Sequence, residues 1–199
     1  MNKKLFTFSN ILTAAFIIFI LVMLFNPAAK AKVIQGLMKI GLFQPDLPEN
    51  YEVKKADNTT ILSPRKIVFK DSEGQFLDLS EQKGKVIFVN FWATWCPPCI
   101  AEMPSIYKLY KEFENNETVL FVMVDADNNL KKSNAFQKKH GYTFPLYNLA
   151  GSIPEDYYSG TLPTTLIIDK EGNIAYKHSG AADYSHKEVA DFINSLIKK

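Results

Sequence analysis

Two cysteines separated by two prolines, Trp95-Cys96-Pro97-Pro98-Cys99, constrain this chain more than any other stretch. An apolar run, Val86-Ile87-Phe88-Val89-Asn90-Phe91-Trp92, precedes them and reads as a buried strand. Ile100 to Phe113 follows with helical spacing, carrying Met103, Tyr107, Tyr110 and Phe113 on one face and Pro104 as an expected kink. The fold must therefore turn from a buried strand into a helix at this point and set both thiols at the junction. No other cysteine occurs in the 199 residues. A disulfide here closes too short a loop to stabilise a fold through chain entropy. A zinc site wants about four ligands, and His140, His178 and His186 lie far along the chain without ligand spacing, as surface or capping residues. A c-type haem attachment needs His directly after Cys99, where Ile100 stands. The pair reads as a redox dithiol.

The rest of the composition sets bounds. A formal charge of +2 and the lack of a basic cluster on an aromatic-rich face give no nucleic-acid signal. The length suits one domain plus an appendage. That appendage is N-terminal. Lys3 and Lys4 precede an apolar run from Leu5 to Phe25. Its densest part, Ile11 to Phe25, spans roughly 22 Å as a helix, and the whole run reaches about 30 Å, enough to cross a bilayer. Residues 1–30 are expected to be a transmembrane anchor that binds lipid. The competing reading is a signal peptide cut after Ala29-Lys30-Ala31. Residues 31–54 read as a linker or a short interfacial helix, with Val33, Ile34, Leu37, Met38 and Ile40 as its apolar side. Gln44-Pro45-Asp46-Leu47-Pro48 reads as an extended break.

Residues 55–199 are expected to form the catalytic domain. A hairpin, Ile67–Phe69 and Phe76–Leu79 around Asp71-Ser72-Glu73-Gly74, comes first. The strand Val86 to Phe91 and the cysteine helix follow. A second buried strand runs from Thr118 to Asp125, then a helix from Lys131 to His140 ended by Gly141. Phe144 to Tyr147 is extended, and Ile153 to Tyr158 suggests a helical turn or two. Thr164–Asp169 and Ile174–His178 form a second hairpin around Lys170-Glu171-Gly172-Asn173. Ser185-His186-Lys187-Glu188 reads as a capping box opening a last helix with Val189, Phe192, Ile193 and Leu196 on one face. This order gives an α/β domain: a mixed sheet with helices on both faces, parallel where helices connect the strands and antiparallel in the hairpins.

Phe91-Trp92-Ala93-Thr94-Trp95-Cys96-Pro97-Pro98-Cys99 resembles the active-site segment of thioredoxin-fold proteins, and Thr161-Leu162-Pro163-Thr164-Thr165 resembles their cis-proline loop. Glu102 and Pro104 after the second cysteine, and the inserted helix and strand from Lys131 to Tyr147, resemble the TlpA/ResA-like membrane-anchored thiol-disulfide oxidoreductases. The resemblance implies a thioredoxin-like fold with a central helix-strand insertion. It also implies a protein disulfide reductase in the periplasm or another extracytoplasmic space. Its redox group is the Cys96–Cys99 disulfide, with no further cofactor and no metal. Its partners are protein disulfide substrates, apocytochrome c cysteines among them, and a membrane electron donor of the thiol-transfer type.

Cys96, just before the helix, is expected to attack, because free backbone N–H groups there stabilise a thiolate. Cys99, inside the first turn, is expected to resolve the mixed disulfide. Pro97 and Pro98 remove two donors beside Cys96, which leaves its thiolate less stabilised and favours a reductase. Asn90 stands where thioredoxins carry a buried aspartate, and an amide cannot take a proton. Glu102 is the expected replacement. Pro163, in cis, and the backbone of Leu162 are expected to meet an extended substrate, with Trp95 and Pro97 on the same surface. Two other functions fit the cysteines less well. A thiol peroxidase wants a proline pattern before its cysteine, and a copper chaperone of this fold wants wider cysteine spacing and a placed histidine.

Overall fold

In Val86–Trp92 (β3) every residue is buried, so this strand must lie inside a sheet covered on both faces. The computed structural model describes residues 8–48 and 66–199. It places β3 between Val119–Asp125 (β4), which runs parallel to it, and Thr164–Ile168 (β6), which runs antiparallel. Leu146–Leu149 (β5) extends the parallel side. Val68–Asp71 (β1) and Phe76–Asp78 (β2) form the expected hairpin and pair antiparallel onto β5. Ile174–Ser179 (β7) closes the other edge. The strand order is β2-β1-β5-β4-β3-β6-β7. Asp71 turns the first hairpin by accepting from the N–H groups of Glu73 and Gln75, and Asp169 does the same for Glu171 and Asn173 in the second.

Alternation along β3 divides the core. Phe88 and Trp92 face one side, where Met103, Ile106, Leu109 and Phe113 of Pro97–Phe113 (α3) and Val189, Phe192, Ile193 and Leu196 of Lys187–Lys198 (α5) pack. Leu130 and Phe136 of Leu130–His140 (α4) pack on this side too. Ile87, Val89 and Phe91 face the other side. There the cover comes from Leu79, in a 3₁₀ turn at Leu79–Glu81, and from Tyr157. Among the described residues, helices therefore line one face of the domain's sheet, not both. Of the one or two helical turns expected at Ile153–Tyr158, a single one forms, with the N–H groups of Tyr157 and Tyr158 on the Pro154 carbonyl. Gly151, Pro154 and Gly160 leave too little uninterrupted chain for a helix.

Several helix ends follow from local chemistry. The α4 helix stops at Gly141, which adopts a left-handed conformation (φ 72°). Its N-terminus is capped by Asn129, whose side chain accepts from the N–H of Lys132. The capping box expected at Ser185 does not form. Asp183 takes the Ser185 hydroxyl at 2.7 Å and its N–H at 3.0 Å, so the helix starts one residue later, with His186 at its N-cap position and no side-chain cap. The α3 helix is continuous through Pro104 and begins at Pro97, earlier than its apolar periodicity suggested.

At the N-terminus, Phe8–Phe25 (α1) is an 18-residue apolar helix, and Pro27–Lys39 (α2) follows after a break at Asn26. Asn26 caps α2 by accepting from the N–H groups of Ala28 and Ala29. Among the described residues no single helix is long and apolar enough to cross a membrane, but α1 and α2 meet that measure as a pair bent by 94°. The start of the expected span, Leu5 to Thr7, lies outside the described residues, as does the first part of the expected domain, 55–65.

Candidate active site

The β3 strand ends at Trp92 and Ala93, and the chain enters α3 with Cys96 as its N-cap residue in extended backbone conformation. Pro97 and Pro98 fill the first helical positions, where their missing N–H groups break no intrahelical bond. The Cys99 N–H points back at the Cys96 sulfur, 3.3 Å away. It is the capping hydrogen bond of this helix, with sulfur in place of the usual oxygen. Cys96 and Cys99 are joined in a disulfide, with Cα atoms 5.3 Å apart. Both are buried in the oxidised state, Cys96 at 3% exposure and Cys99 at 0%.

Around the disulfide the expected substrate residues take different positions. Trp95 is 57% exposed, and its indole N–H donates to Asp127 at 2.6 Å, tying the cysteine loop to the turn after β4. Pro97 is half-buried. Leu162 is half-buried and touches the core on both sides of the sheet. The Leu162–Pro163 peptide bond is cis. Thr164 pairs with Phe91 in the β3–β6 register, so Pro163 stands at the same end of the sheet as the cysteine loop.

Beneath the cysteines lies a polar group that an apolar core would not tolerate by chance. Glu102, one turn after Cys99, is fully buried. Its Oε1 accepts from the Asn90 amide at 2.8 Å, and its Oε2 accepts from the Ala182 N–H at 3.3 Å. Burial pushes its carboxyl up to about 8, against the two hydrogen bonds, which pull it down. It is therefore neutral at neutral pH in the oxidised protein. The same amide nitrogen of Asn90 donates to Thr165 at 2.9 Å, across the register pair Asn90–Thr165. Ser105 completes the floor. Its hydroxyl donates to the Glu102 carbonyl at 2.7 Å and accepts from the Tyr184 N–H at 3.1 Å. Tyr176 and Tyr184 feel the Glu102 charge, and burial drives both phenols upward, so neither ionises near neutrality.

The sequence singles out Cys96, Cys99, Glu102 and Pro163, and it marks Asn90 only as a lost acid. In the structure Asn90 is the residue that holds Glu102. Its signal was present, since it is the one polar residue in the run Val86–Trp92. The contribution of Ala182 is a backbone N–H and has no side-chain signature.

Comparison with known proteins supports this geometry. The Redoxin family model matches residues 51–195. The chain is 37% identical over 132 residues to the thiol-disulfide oxidoreductase ResA of Halalkalibacterium halodurans, covering 66% of this chain and 73% of that protein. It is 33% identical over 145 residues to the thioredoxin-like protein YneN of Bacillus subtilis, covering 72% and 85%. Among solved structures, StoA of Bacillus subtilis superposes with a TM-score of 0.53 at 24% identity, over 68% of this chain and 98% of that one. The exposed lipoprotein thioredoxin Etrx1 of Streptococcus pneumoniae gives 0.52 at 26% identity, over 66% and 99%. With a buried redox disulfide at the end of a thioredoxin-like sheet and ResA as a relative along most of its length, this chain belongs to the Redoxin family and is a thiol-disulfide oxidoreductase.

Proposed function

We propose that the enzyme is a membrane-tethered reductase of protein disulfides, working on the extracytoplasmic side through Cys96, Cys99 and Glu102. The Cys96 thiolate attacks one sulfur of a substrate disulfide, whose S–S bond breaks as a mixed disulfide forms. Cys99 then attacks the Cys96 sulfur. The mixed disulfide breaks, the second substrate sulfur leaves as a thiolate like the first, both take protons from water, and the enzyme ends as the Cys96–Cys99 disulfide. A dithiol donor reached through the membrane restores the reduced enzyme by the reverse exchange.

The observation that carries this reading is the buried Glu102 one turn from Cys99. Cys99 must lose its proton as it attacks, and Asn90 cannot take it. A carboxyl that titrates at about 8 when the cysteines are oxidised holds a proton at neutral pH, which is the state this step leaves behind. The direction follows from the prolines. With N–H groups missing at positions 97 and 98, the Cys99 N–H is the first-turn donor to the Cys96 sulfur. A sparsely solvated thiolate gives a reduced form with little extra stability, hence a reductant. Trp95, Pro97 and the Leu162–Pro163 segment form the surface that receives an extended substrate, and apocytochrome c cysteines are one fitting class. The tether is α1. Its Phe16, Ile18, Leu24 and Phe25 side chains are exposed, a costly arrangement in water and a favourable one in lipid.

Trapping tests the assignment. Cys99→Ser should accumulate mixed disulfides between Cys96 and substrate, visible as reductant-sensitive adducts, and Cys96→Ser should accumulate none. Adducts on the Cys96→Ser protein alone would reverse the roles.

A further inference from the structure

Proline at position 104 cannot donate to the carbonyl four residues earlier, so the Ile100 carbonyl loses its intrahelical partner one residue after Cys99. The replacement donor comes from outside the domain. The side-chain amide of Gln35 on α2 donates to the Ile100 oxygen at 3.4 Å. Around this bond α2 lies close against α3. Ala31 (1% exposed) and Met38 (4%) are buried against Ala101 and Ala181, with Ile34 and Ile100 beside them. Alanines on both surfaces allow the close approach, since larger side chains would hold the helices apart.

The same segment reaches the floor of the active site. Past α2, the Phe43 carbonyl accepts from the Asp183 N–H at 2.9 Å. The preceding residue, Ala182, gives its N–H to Glu102. Ala181, before that, packs under α2. Three successive residues of the 180–185 loop are thus held between the segment that follows the apolar helix and the carboxyl beneath the cysteines.

We propose that α2 is a positioning element of the active site: by filling the hydrogen bond that Pro104 leaves open and by pinning the 180–185 loop, it fixes the donor and the dryness around Glu102. The inference rests on the role of Glu102 argued above. Releasing α2 frees Ala182 and admits water to Glu102, so the carboxyl ionises more readily. The titratable groups that face Glu102 are Cys99 on its own helix, Tyr176 on β7 and Tyr184 in the loop. Both phenols stay neutral across the working range. On the α2 side, Lys39 lines the α2–α3 groove together with Lys108 and Asp183.

The test uses the full chain in detergent, with Ala31→Glu placing a charge in the α2–α3 contact and leaving every residue of the catalytic domain unchanged. Two readouts are followed: amide hydrogen exchange at Ala182 and Asp183, and the pH profile of disulfide reduction. Exchange at both amides should quicken at least tenfold. The profile midpoint should fall by about one pH unit as desolvation is relieved, and Glu102→Gln in the same background should remove that shift. Gln35→Ala, which loses only the bond to Ile100, should move both readouts the same way by less, and serves if the charged variant does not fold. Gly36→Ala, in open space on the outer side of α2, should move neither. If exchange shows α2 released while Ala182 and the pH profile keep their wild-type values, α2 is packing alone and the proposal is wrong. If Glu102→Gln by itself leaves the wild-type profile unchanged, the proton role of Glu102 fails, and the exchange at Ala182 then decides the positioning role on its own.

Discussion

Two buried acidic side chains, Asp125 at the end of β4 and Glu102 on α3 against β3, lead opposite lives. Asp125 closes β4 and accepts from the Asp127 N–H at 3.0 Å, the Asn129 N–H at 2.9 Å and the Ser133 hydroxyl at 2.8 Å. Three donors on two oxygens satisfy this side chain and make it the anchor of a turn. Glu102, beside β3, is equally buried but has two donors, one of them at 3.3 Å. Its ionised form is under-solvated, and its carboxyl titrates at about 8. Burial with few donors is what raises the Glu102 carboxyl, and it occurs one turn from the resolving thiol.

The largest effect expected from this contrast is a pH dependence of stability. Unfolded, Glu102 titrates near 4.5; folded, near 8. Below 4.5 both states hold the proton and the group contributes nothing. Between the two values the folded state binds the proton and the unfolded state does not, so stability falls as pH rises. Above 8 the whole penalty is present, at most about 5 kcal/mol. Glu102→Gln should remove this slope, so urea unfolding of wild type and variant should diverge from pH 5 to 9, with the variant the more stable at pH 9. Parallel curves would place Glu102 in a better solvated site than the structure shows.

Asp125→Ala should act in the other direction. It strands two backbone N–H groups and a hydroxyl, and should cost about 3 kcal/mol at neutral pH by urea unfolding. The pH profile of disulfide exchange should not move, because Asp125 touches neither cysteine nor Glu102. A shifted profile would erase the distinction between anchor and acid.

The smallest change sharpens the contrast from within the site. Asn90→Ala withdraws the shorter of the two bonds to Glu102. That bond lowers the carboxyl's pKa, so its loss should move the exchange profile to higher pH, by about one unit. Stability should drop by about 1 kcal/mol for the lost hydrogen bonds.

The sequence carried much of this and hid a definable remainder. The buried strand, the dithiol at the helix start, both hairpins and the Gly141 helix stop were legible because each has a local cause in side-chain type and order. The sheet's second face was misjudged: the segment Ile153–Tyr158, expected as a helical turn or two, makes a single turn between Gly151, Pro154 and Gly160 and does not cover that face as a helix. The capping box at Ser185 failed because Asp183, two residues earlier, competes for the same hydroxyl and N–H. On α2 the expected apolar side is right at Met38, which is buried, and wrong at Val33 and Ile40, which are exposed; the buried Ala31 was not expected. Close helix packing selects small side chains such as Ala31, which hydrophobic periodicity undercounts. The Ala182 bond to Glu102 was beyond reach for a simpler reason: every residue but proline has an N–H, so nothing in the letter at 182 marks it.

Carbon-13 NMR of the Glu102 carboxyl in the oxidised protein, followed from pH 4 to 10, reads directly whether this side chain is a neutral acid beneath the oxidised cysteine pair at neutral pH. A single titration with a midpoint at about 8 is expected. A midpoint at or below about 5, the range of an ordinary solvated carboxyl, would contradict it.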